Sequence, residues 1–365
     1  MKIGILGTRG IPNAYGGFEQ FAQCLAKGLV EKGHIVFVYN SSSHPYQQST
    51  WHGVQVVHCN DPEHRIGTAG QFIYDYNCLQ DARKRNFDIL LQLGYTSSSV
   101  WYRLWPKKAV NIINMDGLEW KRAKYNNLTQ KFLQWAEGLA ARHGDVLIAD
   151  SIGIKDYIQT KYQKEAVYIP YGADIPESFS DSFLPDLNLQ AKQYFLVIAR
   201  MEPENNIELV IRGYLQSAHR YPLVIIGNTQ NKYGQFLLKK YVSASVLFPG
   251  SIYDYALINS LRYFSALYFH GHSVGGTNPS LLEAMACRCN IAAHDNVFNR
   301  RILGDDARYF SDVTDVQKII IHPFQQDLNS RHDQNNIEKI KTIYNWKKIV
   351  DDYENIFLKT YKKPG

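Results

Sequence analysis

Residues His270 to Cys287 read HGHSVGGTNPSLLEAMAC, and the interpretation of the whole chain turns on them. The four residues before them, Ala266-Leu267-Tyr268-Phe269, have the apolar and aromatic character of a buried strand. Gly271 to Asn278 are small and polar and read as a loop. Pro279 and Ser280 then open a helix that carries Glu283 about one turn in, because proline is tolerated where its missing N–H would be unsatisfied anyway. Backbone N–H groups at such a helix start attract phosphates, and glycines let an oxygen-rich ligand approach the main chain. A diphosphate carrying a hydroxylated sugar fits this arrangement. An ordinary strand–loop–helix connection with a solvated Glu has the same spacing.

Outward from this stretch, strand and helix patterns alternate along the chain. Lys2–Leu6, a turn-rich loop through Gly16-Gly17, a helix from about Phe18 and a strand His34–Tyr39 form a βαβ unit, which implies a parallel sheet. Further strands are expected at 54–58, 89–93, 109–114, 145–149 and 166–169, with helices at 69–84, 128–142 and 152–162. Residues 175–192, rich in Pro, Ser and Asp, read as a linker. The alternation restarts at Tyr194–Ala199 and runs to a helix near Phe298. The last segment, Trp346 to Tyr361, has amphipathic helical spacing. The expected class is α/β with two doubly wound, Rossmann-like domains, one over residues 1–175 and one over 193–345, followed by a helix at 346–365.

Bulk properties narrow the function. At 365 residues two domains are the default. The net charge of +6 is too modest to argue for nucleic acid. MKIGILG lacks the apolar run of a signal peptide, and no run approaches the ~20 apolar residues of a membrane span, so a cytoplasmic protein is expected. The five cysteines are then expected to be free thiols, and Cys287 and Cys289 lack the partners of a zinc site. Gly4, Gly7 and Gly10 do not have dinucleotide-fingerprint spacing, and Tyr39-Asn40-Ser41 offers no acid for an NAD ribose, which disfavours nicotinamide and flavin chemistry.

Several residues stand where the carboxyl ends of strands should be. Asp116 follows the strand 111–114, where a carboxylate orients a hydroxyl or acts as a base; an Asp-Gly turn or a helix cap explains it equally. Arg200 follows the strand 194–199, and an Arg fork beside a helix start makes a diphosphate clamp. Gly16-Gly17 before a helix suits a phosphate or substrate loop. Trp101 to Lys131 combines Trp101, Tyr102, Trp105, Trp120 and Tyr125 with Arg103, Lys107, Lys108, Lys121, Arg122, Lys124 and Lys131. Such a mixture suits an anionic membrane or a phosphate-bearing acceptor, and a solvated charged face has the same composition.

Taken in order, Tyr15-Gly16-Gly17-Phe18-Glu19, Tyr171-Gly172-Ala173-Asp174, Arg200 to Asn206 and Asn278-Pro279-Ser280-Leu281-Leu282-Glu283-Ala284-Met285 resemble the retaining glycosyltransferases of the GT-B fold, family 4. The runs Gly7-Thr8-Arg9-Gly10-Ile11-Pro12 and His272 to Asn278 resemble the bacterial rhamnosyltransferase-type branch, whose members work on capsule, O-antigen and cell-wall polysaccharides. The resemblance implies two domains facing a cleft and a last helix that crosses back to the first domain. It assigns Glu283 to the nucleotide ribose, Arg200 to the donor diphosphate, Gly16 and Gly17 to the phosphates, and Asp116 to a position beside the reacting sugar. Gly275, Gly276, Thr277, Asn278 and Ser280 complete the donor loop. Two departures are plain. Gly275 stands where the family usually has an acid that touches the sugar, and Asn205 where it usually has a Lys.

The function expected from the resemblance is metal-independent, cofactor-free transfer with retention, most simply of L-rhamnose from dTDP-rhamnose. The acceptor would be a saccharide, lipid-linked on a polyprenyl diphosphate, with the enzyme peripheral on the inner face of the plasma membrane. A sugar-nucleotide-binding protein without transferase activity and a nucleotide-sugar epimerase or hydrolase remain as alternatives.

Overall fold

The computed structural model describes residues 1–122, 125–323 and 326–361. Lys124, counted among the cations above, and the last four residues of the 346–365 segment lie outside them. The chain divides into two compact units, Met1–Tyr171 with Trp346–Gly365, and Gly172–Asn345.

The first unit runs β1 (Lys2–Leu6), α1 (Gly17–Glu31), β2 (Ile35–Ser41), β3 (Thr50–Trp51), β4 (Val54–Cys59), α2 (Glu63–Ile66), α3 (Gly70–Ala82), β5 (Ile89–Leu93), β6 (Val110–Asn114), α4 (Asn127–His143), β7 (Val146–Ala149), α5 (Ile152–Tyr162) and β8 (Ala166–Tyr168). Its eight strands lie in the order β3-β4-β2-β1-β5-β6-β7-β8. The neighbours are parallel, as βαβ crossovers require, except β3 and β4. The β3–β4 hairpin turns on His52 and Gly53, both with positive φ, and so extends one edge of the sheet. Two residues are too few to show strand periodicity, which is why the sequence pattern does not reveal β3. Strand order reverses between β1 and β5, and in open α/β sheets ligands bind at the carboxyl ends beside such a reversal.

The second unit runs β9 (Phe195–Ile198), α6 (Ile207–Ser217), β10 (Leu223–Ile226), α7 (Lys232–Tyr241), β11 (Val246–Gly250), α8 (Tyr255–Phe264), β12 (Leu267–His270), α9 (Pro279–Ala286), β13 (Ile291–His294), α10 (Val297–Leu303), β14 (Arg308–Phe310), α11 (Val313–Ile321) and α12 (Gln326–Thr342). The six strands are parallel, in the order β11-β10-β9-β12-β13-β14. The sequence reading stops short of β14, α11 and α12. The stretch 175–192 is not a bare linker. Phe179 stacks on Tyr263 with ring centroids 4.1 Å apart, and Leu184 and Leu189 are buried, so it packs along α8.

The chain ends in α13 (Trp346–Thr360), which packs in the first unit. Its apolar face buries Ile349, Val350, Tyr353 and Phe357, and Tyr353 meets Phe21 of α1 at 5.3 Å. Lys32 adds ion pairs to Asp351 at 2.6 Å and Glu354 at 2.8 Å. The α/β class, the two parallel sheets and the return of the last helix therefore stand as expected.

The aromatic and cationic stretch 101–131 is dispersed by folding. Trp105 is in the core, and Trp101, Tyr102 and Trp120 pack against it. Trp120 and Trp101 donate their indole N–H to Glu137 and to the Phe72 carbonyl, and Arg122 pairs with Glu119. The aromatic half of that stretch is thus internal packing, because indoles bury large apolar areas wherever their N–H finds an acceptor.

Candidate functional site

In the second unit, the loop after β9 and the loop after β12 emerge side by side, because β9 and β12 are paired neighbours. They are stitched together by hydrogen bonds. The Ser273 N–H and hydroxyl both donate to the Glu204 carbonyl, at 3.0 and 2.8 Å, and the Asn206 amide donates to the Gly271 carbonyl at 2.8 Å. A Cβ at Gly271 would lie 2.1 Å from the Asn205 carbonyl oxygen, so only glycine lets the two loops approach this closely. Arg200 is exposed on the first loop, and Gly275 to Asn278 form the second. The expectation that Arg200 and the glycine loop share one sheet edge is met.

Asn205 is buried, and its amide donates to the Arg200 carbonyl at 2.8 Å. It closes the loop that presents Arg200, so it positions that side chain. Gly275 has φ +138, a conformation side chains rarely adopt, although a Cβ there would meet nothing within 4 Å. A side chain at this position would have space but would have to hold that backbone conformation.

The start of α9 differs in detail from the free anion cradle expected of it. Asn278 caps the helix: its side chain accepts from Ser280 N–H at 2.9 Å, and its carbonyl accepts from Leu281 and Leu282 N–H. The Ser280 hydroxyl shares a 2.8 Å hydrogen bond with Tyr268. The first turn thus satisfies its own donors, and an anion would meet the preceding Gly275–Asn278 backbone. Thr277 is buried within that loop.

Glu283 is engaged by a residue the sequence reading missed. Arg262 of α8 donates from Nη2 to Glu283 Oε2 at 2.5 Å and from Nη1 to Asn259 Oδ1 at 2.9 Å. Arg262 is 2% exposed and the Glu283 side chain 12%. Burial pulls the guanidinium pKa down, but the Glu283 charge and other neighbours hold it above its ordinary value. The available signal was an Arg four residues after Ile258 on the apolar face of α8, where a cation requires a buried partner. Beside this pair, His270 is fully buried and stacks on His272 at 4.4 Å. Burial and the nearby His272 and Arg262 charges press its pKa well below the usual histidine value, so it is neutral. Burial pushes the Tyr268 hydroxyl up to about 12.

In the first unit, Gly16 is the N-cap residue of α1 and Gly17 its first residue, and the Gly16 N–H donates to Asn13 Oδ1 at 3.1 Å. Buried Glu19 accepts from the Arg9 N–H at 2.8 Å, and the Arg9 side chain pairs with Glu63 at 2.7 Å. These contacts hold the loop after β1 in place. Asp116 follows β6 with φ +51, uncommon for a residue with a side chain, and its N–H donates to Asn114 Oδ1 at 3.1 Å. Burial, then the Asp116 and Asp150 charges, raise the pKa of Tyr171. Asp116 is half-buried at the carboxyl edge of its sheet, as expected. Among the described residues, no group of three or more His, Cys, Asp or Glu stands together to hold a metal ion.

Comparison with known proteins adds two family matches. Residues 1–174 match a domain of unknown function, DUF1972, and residues 182–335 match the glycosyl transferases group 1 family. An uncharacterized glycosyltransferase of Methanocaldococcus jannaschii is 23% identical over 309 residues, covering 75% of this chain and 76% of that protein. Among solved structures, sucrose-phosphate synthase from Thermosynechococcus elongatus has a TM-score of 0.83 at 15% identity, over 98% of each chain. The Anabaena HepE protein in complex with UDP has a TM-score of 0.73 at 15% identity, over 98% of this chain and 100% of that one. The fold is that of GT-B glycosyltransferases, and glycosyltransferase function is supported by the match over residues 182–335.

Proposed function

We propose that this chain moves a sugar from a nucleoside-diphosphate donor, bound at the Arg200–Glu283 edge of the second unit, to a saccharide acceptor. The observation that carries the reading is the hydrogen-bonded pair of loops presenting Arg200 and the Gly275–Asn278 backbone within the glycosyl transferases group 1 match. Arg200 supplies a guanidinium fork to the diphosphate, and loop N–H groups add donors. Glu283, oriented by Arg262, takes hydroxyls of the nucleotide ribose.

As the bond from the anomeric carbon to the diphosphate oxygen breaks, charge grows on the leaving group. Donors placed for that charge lower the barrier most. The acceptor oxygen then bonds to the anomeric carbon on the face the diphosphate leaves, with retention, and its proton passes to the departing phosphate. Asp116 orients a substrate hydroxyl. The reaction needs no metal in this scheme. A deoxysugar donor, most simply dTDP-rhamnose, is the one that the resemblance to the rhamnosyltransferase-type branch suggests. The acceptor is a lipid-linked saccharide of bacterial surface polysaccharide synthesis.

A donor screen across dTDP-, UDP- and GDP-sugars, with and without a saccharide acceptor, tests this. Acceptor-dependent nucleotide release is expected. Release without acceptor would indicate a hydrolase or epimerase, and donor binding without turnover a binding protein; either would overturn the transferase reading. Arg200→Ala and Glu283→Gln should each lose turnover.

A further inference from the structure

We infer that Glu137 of α4 is a positioning residue for the segment that carries Asp116. The inference rests on the role proposed above for Asp116. Glu137 is 2% exposed, and its two oxygens face different parts of the first unit. Oε1 accepts from the Tyr162 hydroxyl at 2.6 Å, the Tyr157 hydroxyl at 2.7 Å and Lys161 Nζ at 2.9 Å, all on α5. Oε2 accepts from Trp120 Nε1 at 3.1 Å and the Tyr95 hydroxyl at 3.3 Å, which stand on the loops after β6 and β5. A buried carboxylate persists only where hydrogen bonds and a counter-charge meet it, and a polar network satisfied in this way is rigid. Lys161 supplies the counter-charge and also lies 5.4 Å over the Trp120 ring.

The two loops gripped by Oε2 are those at the carboxyl edge where Asp116 stands. β5 and β6 are paired neighbours, and the Gly94 N–H donates to the Asn114 carbonyl at 3.0 Å. Asp116 is held at one end of its segment by its N–H on Asn114 Oδ1, and Trp120 is held at the other by Glu137. Between them the Glu119 N–H donates to the Gly117 carbonyl and the Lys121 N–H to the Leu118 carbonyl, each at 2.9 Å, so the segment is a tight turn that passes a shift of Trp120 on to Asp116. The φ of +51 at Asp116 is of the kind that surrounding structure must hold in place. Burial, then the Glu137 and Asp116 charges, raise the Tyr95 pKa, so its hydroxyl stays a donor within electrostatic reach of Asp116. Glu137 itself is too buried to meet a substrate and acts through these loops.

The test measures turnover with the donor and acceptor found by the screen above, and stability by urea unfolding. Glu137→Gln keeps the side chain's size and removes its charge. It should lower kcat by up to about 10²-fold and leave the donor KM unchanged. In an Asp116→Asn background the same change should lower kcat no further, because groups that act as a unit are not additive. Loss of folded protein would instead lower turnover equally in both backgrounds. Trp120→Phe and Tyr162→Phe each delete one hydrogen bond to the same carboxylate, the first on the loop side and the second on the α5 side. Trp120→Phe should lower kcat more than Tyr162→Phe does, and this pair decides the matter if Glu137→Gln fails to fold. An unchanged kcat in Glu137→Gln, an equal fall in both backgrounds, or a Trp120→Phe no slower than Tyr162→Phe would overturn the inference and leave the role of Asp116 standing. Turnover of Asp116→Asn at the wild-type rate would remove that role and the inference with it.

Discussion

Arg262 reaches Glu283 across 2.5 Å from a side chain that is 2% exposed. The carboxylate that the sequence marks for the nucleotide ribose is therefore held from beneath by a cation on the preceding helix. Removing one member of such a pair leaves the other without its counter-charge. Arg262→Met should cost about 3–5 kcal/mol of stability, read from urea unfolding, and should also abolish turnover. Adding Glu283→Met should recover part of the stability and none of the turnover. Equal stability of wild type and Arg262→Met would show that the pair does not act as described.

Gly275 gives a second test. An acid restored there, Gly275→Asp, has space but must adopt φ +138. Backbone strain of this kind costs on the order of 1–3 kcal/mol, so the variant should melt lower or shift its loop. Its affinity for hexose nucleotide donors, measured by calorimetry, should not rise. Tighter hexose binding with an unchanged melting temperature would mean that the loop accepts a side chain there without strain.

Asp116 separates a structural role from a chemical one. Its φ of +51 is one that glycine adopts without penalty. Asp116→Gly should leave stability unchanged or raise it by up to about 1 kcal/mol. Turnover should nevertheless fall by roughly 10²–10⁴-fold if the carboxylate handles a reacting hydroxyl. Unchanged turnover would reduce Asp116 to a turn residue.

Asp75 predicts a pH effect in the first unit. Burial raises its pKa to about 7 from an ordinary 3.8, against the opposing hydrogen bond from Ser97 at 2.5 Å. A carboxyl whose folded pKa lies above its unfolded one binds more protons when folded. Its contribution is complete below about 4 and is lost as pH rises to about 7. Asp75→Asn should flatten that decline, worth a few kcal/mol at most, as followed by amide exchange in α3 between those pH values. A slope identical to wild type would show that Asp75 does not titrate there.

His270 acts in the opposite direction in the second unit. Burial lowers its pKa well below 6.5, so its folded form excludes a proton that the unfolded form accepts. Its contribution is complete above about 6.5 and is lost as pH falls below that value. Amide protection factors in β12, taken against the intrinsic exchange rate at each pH, should therefore fall in acid, and His270→Asn should remove part of that acid sensitivity.

The sequence by itself determined the alternation of strands and helices, the parallel sheets and the loops at strand ends. Apolar runs such as Ile89–Leu93 and the helical stripe from Ile349 to Phe357 report their own burial. It also placed Arg200, Gly275 and Glu283 at strand or helix boundaries, where local turn chemistry is readable. Tertiary structure decided what those residues touch. Arg262 lies 21 positions before Glu283, and nothing local to either one names the other. That the Asn205 amide closes on the Arg200 carbonyl is likewise seen only in the fold. Trp105 and Trp120 read as surface until the helices cover them, whereas Leu128 and Trp135 stay in water. An apolar side chain records only that burial would be favourable; which ones are buried depends on neighbours brought together by the fold.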